Sequence, residues 1–183
     1  FYSAGLDKNN LRQMVEEKCK EIGVKCRCIR CREAGINAKF QSDKGLTNEK
    51  GIDYKSIELV ERRYEASNGK EVFISFEDTK NDLLLGLCRL RKPFRPFRKE
   101  FTPNTCIVRE LHVFGQETGI GGHRAGSQQH RGFGQRLMQR AEGIAAEEFG
   151  ADKMLVISGV GAMEYYRKKL GYRQEGAYMA KRI

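Results

Sequence analysis

No run of about twenty apolar residues occurs in the 183 positions, so the sequence offers no membrane-spanning helix and no membrane partner is expected. The first ten residues lack the charged-then-apolar order of a secretory signal. They read instead as the approach to a helix, and the chain is expected to be a piece of something longer. Internal repeats and low-complexity tracts are absent as well. Acidic residues are scarce beside basic ones, 24 against 34, which leaves a net charge of +10 and a pI near 9.4. That balance favours polyanions: nucleic acid, an anionic surface, or the phosphates of a large cofactor.

What is present suits one domain, or one domain with a short appendage. Apolar residues make up 39%, low but enough for a core. Of six cysteines, Cys19, Cys26, Cys28 and Cys31 crowd near the start, while Cys88 and Cys106 sit within apolar stretches. Size and the missing export signal argue against a disulfide scaffold and for metal at the cluster. The two isolated cysteines read as small core residues.

Residues 9–22 carry Leu11, Met14, Val15, Cys19 and Ile22 at helical spacing, with Gly23 as a stop. Residues 25–35 read as a cysteine- and arginine-rich loop, and 41–53 as irregular. The boundary is placed there, giving an appendage over 1–53 and a main domain over 54–183. Strands are expected over 57–66, 71–77, 83–91 and 105–114, the first two joined by a turn at Ser67-Asn68-Gly69-Lys70. After a glycine-rich stretch, 115–128, come a helix over 132–149, a strand over 153–158, a helix over 161–170 and a last strand over 172–183. Four strands followed by α-β-α-β predict a mixed α/β sheet, parallel where 105–114 meets 153–158 across a helical crossover.

One loop stands out for chemistry. Gln129, His130, Arg131, Gly132, Phe133 and Gly134 lie between a strand and a long amphipathic helix that Gln135 and Arg136 continue. Glycines let a backbone approach a ligand, and a helix N-terminus offers free N–H groups and a positive dipole end to a pyrophosphate. No Gly-Lys-Ser/Thr follows, so this is not a Walker loop, and the full dinucleotide fingerprint is missing.

The Gln-x-x-Gly-x-Gly pattern resembles the acetyl-CoA pyrophosphate loop of the GNAT acyltransferase superfamily. Tyr165-Tyr166 followed by Leu170-Gly171-Tyr172 is similar to that superfamily's second signature. More narrowly, residues 87–92, 108–113, 129–134 and 157–161 resemble the catalytic subunit family of Elongator, and residues 30–36 look like its linker. One residue more than usual separates the tyrosine pair from Leu-Gly-Tyr.

The resemblance implies a GNAT fold that binds acetyl-CoA, with pantetheine along a splayed fourth strand at Glu110, Leu111, His112 and Val113. It implies a tyrosine as general acid, Tyr166 first and Tyr165 second, either of which could instead be a half-buried core residue. Glu110 and His112 share a strand face, where each could act as base, order a water, or make a structural hydrogen bond. It further implies a tRNA wobble-uridine modification enzyme in the cytoplasm. That enzyme's upstream radical-SAM domain, with an iron–sulfur cluster and S-adenosylmethionine, would precede this chain, and other Elongator subunits would be partners.

Cys26-x-Cys28-x-x-Cys31 could hold zinc, with Cys19, a histidine or a carboxylate as fourth ligand. An iron–sulfur cluster and unliganded thiols are the alternatives. Arg27, Arg30 and Arg32 interleave with these cysteines, and residues 89–98 form a second basic stretch with Phe94 and Phe97, a composition suited to tRNA. A lysine acetyltransferase acting on basic protein tails is the rival reading, disfavoured by like charge. A non-catalytic docking module is the third.

Overall fold

The computed structural model describes residues 10–34, 56–114 and 132–183. Its centre is a seven-stranded sheet in the order β1-β2-β3-β4-β5-β7-β6. The strands are β1 (Ile57–Ala66), β2 (Gly69–Asp78), β3 (Leu83–Lys92), β4 (Thr105–Val113), β5 (Lys153–Val156), β6 (Arg173–Glu175) and β7 (Tyr178–Arg182). Among these strands only β4 and β5 run parallel, and every other pairing is antiparallel. The mixed sheet expected from the order of elements is therefore present.

Turn chemistry sets the meander. Ser67 and Asn68 both have positive φ, 48° and 58°, between the paired residues Ala66 and Gly69. This two-residue turn matches the right-handed twist of the strands it joins. The longest helix, α3 (Phe133–Phe149), turns Phe133, Leu137, Met138, Ala141, Ile144 and Ala145 inward. They pack on Val72, Ile74, Phe76, Leu85, Cys88 and Val108 of the sheet, together with Tyr166 and Leu170 of α4 (Met163–Leu170). Smaller clusters line the opposite face: Phe101, Ile107, Leu155, Tyr178 and Ala180 at one end, and Leu84, Leu87 and Phe114 with Ile29 at the other. Cys88 and Cys106 are fully buried, as expected of core thiols.

Two expectations need correction. The last strand, 172–183, is a hairpin: β6 and β7 flank Gly176, whose φ is +60° and where a Cβ would collide with the Glu100 carboxylate. The loop over 25–35 contains a short helix, α2 (Ile29–Arg32), at the end of which Ala34 joins the main core. The first helix, α1 (Leu11–Glu21), ends near its expected stop, with Gly23 at φ +67°. Residues 41–53 and 115–128 lie outside the described residues, as does the boundary placed at 53. Among the described residues no helix is long and apolar enough to cross a membrane.

Candidate acyl-donor cleft and thiol cluster

The cleft begins with a failure of pairing. β4 pairs β5 only from Thr105 to Val108, and the last bond across that seam is Ile157 N–H to Val108 O at 3.2 Å. β4 itself runs on to Val113, held by β3 alone. Phe114 N–H donates to Leu85 O at 2.7 Å, so strand alternation turns the peptide groups of Leu111 and Val113 toward the open edge. An acceptor-and-donor edge of this kind can take an extended amide-bearing chain.

A bulge decides which side chains line it. Arg89 opposes Glu110 while Leu90 opposes Val108, leaving Arg109 as the extra residue. Arg109 and Glu110 therefore both lie on the face away from α3. Arg109 pairs there with Glu71 at 2.8 Å, and Glu110 with Arg89 at 3.0 Å. His112 follows on that face with its ring 4.5 Å from Phe114. Leu111 and Val113 take the α3 side, where Leu111 packs on the core and the Val113 methyl approaches Gly134. Glu110 and His112 do share a face, as expected, but it is the one opposite α3.

The N-terminus of α3 meets this edge. Gly132 at its N-cap contributes no side-chain cap, and no acidic residue occupies the first turn. Over 17 residues the helix dipole makes that end favourable for an anion. Arg136 lies in the same turn, its guanidinium 4.6 Å from the centre of the Phe76 ring, which touches Phe133. Gln135 donates toward Lys169 O at 3.5 Å, tying this turn to α4. Gln129, His130 and Arg131 lie outside the described residues.

The two tyrosines take opposite roles in packing. Tyr166, the first choice from sequence, is 6% exposed and sits edge-on between the rings of Tyr165 and Tyr172. Burial pushes its hydroxyl up to about 12. Tyr165 is half-buried and its hydroxyl faces Gly134: a Cβ on Gly134 would stand 2.8 Å from it and 3.7 Å from Val113. Burial raises the Tyr165 pKa too, so the proton stays on this oxygen at neutral pH. A Cβ on Gly132, by contrast, would meet only the flexible Arg136 side chain, at 3.9 Å. The donor-rich helix end, the open strand edge and a protonated hydroxyl fit an acyl-CoA thioester and its pyrophosphate.

The thiol cluster is a separate site. The Cys26, Cys28 and Cys31 sulfurs all lie within 4.8 Å of one another. Zinc–thiolate bonds of about 2.3 Å in a tetrahedron place sulfurs about 3.8 Å apart, so small shifts let the three hold a metal. Cys19 is outside this group, and among the described residues no fourth cysteine, histidine or carboxylate joins it. Hydrogen bonds from Cys31 and Cys26 bring Cys28 down to about 7, whereas burial takes Cys31 up to about 11. Arg12 reaches from α1 to the Cys31 sulfur at 3.6 Å.

Charged side chains join the two parts of the chain. Arg32, 8% exposed, donates to Glu77 at 2.5 Å and to Asp82 at 2.8 Å. Lys25 and Arg27 also face Asp82. Burial alone would raise the Glu77 carboxyl, but hydrogen bonds from Arg62, Ser75 and Arg32 outweigh it and hold the group at about 2. Arg27 and Arg32, expected in an RNA-facing loop, are thus committed to carboxylates of this chain.

A fold of this topology, with its seam opening at a helix N-terminus, defines an acyl-CoA-binding domain, and a profile described as Acetyltransferase (GNAT) family matches residues 46–172. The chain belongs to that family. It is 49% identical over 182 residues to the tRNA uridine(34) acetyltransferase of Methanocaldococcus infernus, covering 98% of this chain and 32% of that protein. It is 45% identical over 187 residues to Elongator complex protein 3 of Saccharomyces cerevisiae, covering 99% of this chain and 31% of the relative. A solved structure of the archaeal Methanocaldococcus infernus Elp3, with an N-terminal deletion, superposes with a TM-score of 0.78 at 50% identity, over 96% of this chain and 40% of that one. The chain spans about a third of the length of these curated relatives.

Proposed function

We propose that this chain is the acetyl-CoA-binding acyltransferase domain of a tRNA wobble-uridine-modifying enzyme. The observation that carries the reading is the Tyr165 hydroxyl set against Gly134 and Val113, where the open β4 edge meets the uncapped end of α3. Bound acetyl-CoA supplies an acetyl group activated as a thioester. Gly132, Phe133 and Gly134 present N–H groups to the pyrophosphate, with Arg136, Gln135 and the preceding Gln129, His130 and Arg131 beside them. Leu111 and Val113 hold the pantetheine arm by their peptide groups, while Glu110 and His112 belong to the opposite face. Tyr165 holds the proton that the departing sulfur takes, in preference to Tyr166, which is packed into the core.

The RNA half of the reading rests on the names of the relatives and on the charge of +10. Within the whole protein, acting in the cytoplasm, a radical-SAM domain with its iron–sulfur cluster and S-adenosylmethionine would use the acetyl group, beside other Elongator subunits. Zinc is the metal that best suits Cys26, Cys28 and Cys31, since thiolates select it and it needs no redox chemistry. The appendage is assigned to 1–53 and the catalytic domain to 54–183.

Acetyl-CoA hydrolysis measured with and without tRNA tests the proposal. Stimulation by tRNA is expected, and Tyr165→Phe should slow thioester cleavage roughly a hundredfold while sparing tRNA binding. Tyr166→Phe should act mainly on stability. Brisk acetylation of lysine peptides, with tRNA neither bound nor stimulatory, would replace this reading by a protein lysine acetyltransferase.

A further inference from the structure

β4 has a second end that the cleft does not use. At about 3.3 Å per residue, Thr105 lies roughly 25 Å along the strand from Val113. The loop leading into it reads Pro93-Phe94-Arg95-Pro96-Phe97-Arg98-Lys99-Glu100. Phe94 is 75% exposed and Phe97 61%. Two large rings on one short loop are uncommon unless something covers them.

The loop is not slack. Lys92 Nζ donates to Pro103 O at 2.6 Å across its base, Phe101 N–H donates to Arg98 O at 3.1 Å, and Thr102 N–H donates to Thr105 Oγ1 at 2.9 Å. The Phe97 ring rests 4.4 Å from Phe101, which meets the edge of Tyr178 at 5.5 Å. Phe97 is therefore propped from below with its outer side clear. A hollow of about 140 Å³ opens beside Phe94, reaching in to Phe101 and Thr102. Rings held this way lose little freedom when a flat partner stacks on them.

Charge separates this loop from the sheet. Arg62, Arg91, Arg109 and Arg140 each lie against a carboxylate. Among the described residues, no carboxylate pairs with Arg95, Arg98 or Lys99, all exposed. The one acid of the loop, Glu100, is 8% exposed and turned toward Gly176. The exposed charge of the loop is thus entirely cationic, and it lies beside two exposed rings.

We propose that residues 93–104 form an RNA contact, remote from the acyl-donor cleft. Phe94 and Phe97 stack on unpaired bases, and Arg95, Arg98 and Lys99 hold the phosphates on either side. Stacking tolerates any base because each has a π-face, and planar guanidinium groups suit both phosphate and ring. The proposal rests on the reading that RNA is this domain's macromolecular partner.

The sequence contains no tryptophan, so Phe94→Trp installs a single indole at the contact, which can be excited beyond the absorption of the tyrosines. Titrating this variant with tRNA, and with a single-stranded RNA oligonucleotide, should quench its emission at unaltered affinity. Phe94→Ala should weaken RNA binding roughly tenfold with an unchanged salt slope. Arg95→Gln with Arg98→Gln should reduce that slope by about two, and acetyl-CoA affinity should stay constant throughout. Phe94→Ala is the clean variant, because Phe97 also supports Phe101. Suppose the wild type binds RNA, the emission of the Phe94→Trp variant stays unquenched and Phe94→Ala loses no affinity. That result would overturn the proposal, leave the rings to a protein partner, and spare the functional reading. Absence of RNA binding by the wild-type chain would remove both.

Discussion

α1 and α3 carry the same kind of apolar stripe and meet opposite fates. α3 buries Leu137, Met138, Ala141, Ile144 and Ala145 against the sheet. α1 buries nothing, and Leu11 and Ile22 remain 54% and 59% exposed. Periodicity makes a helix amphipathic, but only a facing surface makes it a core element. The residues after α1 are accordingly held by a few discrete contacts: three thiols, Arg32 between Glu77 and Asp82, a bridge from Glu33 to Leu84, and the packing of Ile29 and Ala34 on the sheet. The C-terminal part is held by contiguous burial instead.

The contrast can be broken most sharply in the core. Leu137→Ala should cost about 4 kcal/mol in urea unfolding, since its side chain is fully buried between sheet and helix. Glu77→Gln should cost about 3 kcal/mol, because it removes a buried charge that pairs with both Arg32 and Arg62 and leaves Arg32 with Asp82 alone, and it acts where the two parts meet. Its pH signature is distinctive. The folded carboxyl titrates at about 2 rather than the usual 4.5, so its contribution is complete above pH 4.5 and drains as pH falls toward 2. The melting temperature of the wild type should therefore drop over that window more steeply than that of Glu77→Gln. With the proposed metal bound at the thiol cluster, a chelator should abolish hydrogen-exchange protection over residues 24–32 yet shift the main melting transition by only about 2 °C. Leu11→Ala should change stability by less than about 0.5 kcal/mol; a larger loss would show that α1 is packed after all.

Much of this is legible in the sequence, and the exceptions share a cause. β1 occupies the residues expected of it, 57–66, because alternation and a turn pair bound it on both sides. α3 starts one residue late. The final hairpin escapes a reading of the sequence because Gly176 alone marks its turn, with no Asn or Asp beside it. α2 is hidden by cysteines and arginines that read as a loop. Glu71, Glu77, Arg32 and Lys153 are buried although charged, for their partners lie on other strands or segments. The proposed preference for Tyr165 over Tyr166 has the same origin: adjacent tyrosines on a helix point about 100° apart, and only the position of α3 says which one faces it. Part of the proposed phosphate loop, Gln129 to Arg131, lies outside the described residues.

Arg109 sets the phase of everything beyond it. A strand counts in twos, and one surplus residue inverts the count. Deleting Arg109 would only remove the bulge and leave every later side chain on its present face, whereas a strand that kept Arg109 in regular pairing would run in antiphase: Glu110 and His112 would turn toward α3, and Leu111 and Val113 away from it. The cleft would then be lined by an acid and an imidazole instead of two aliphatic side chains. At this position, whether one residue is paired or bulged decides the chemistry of the cleft.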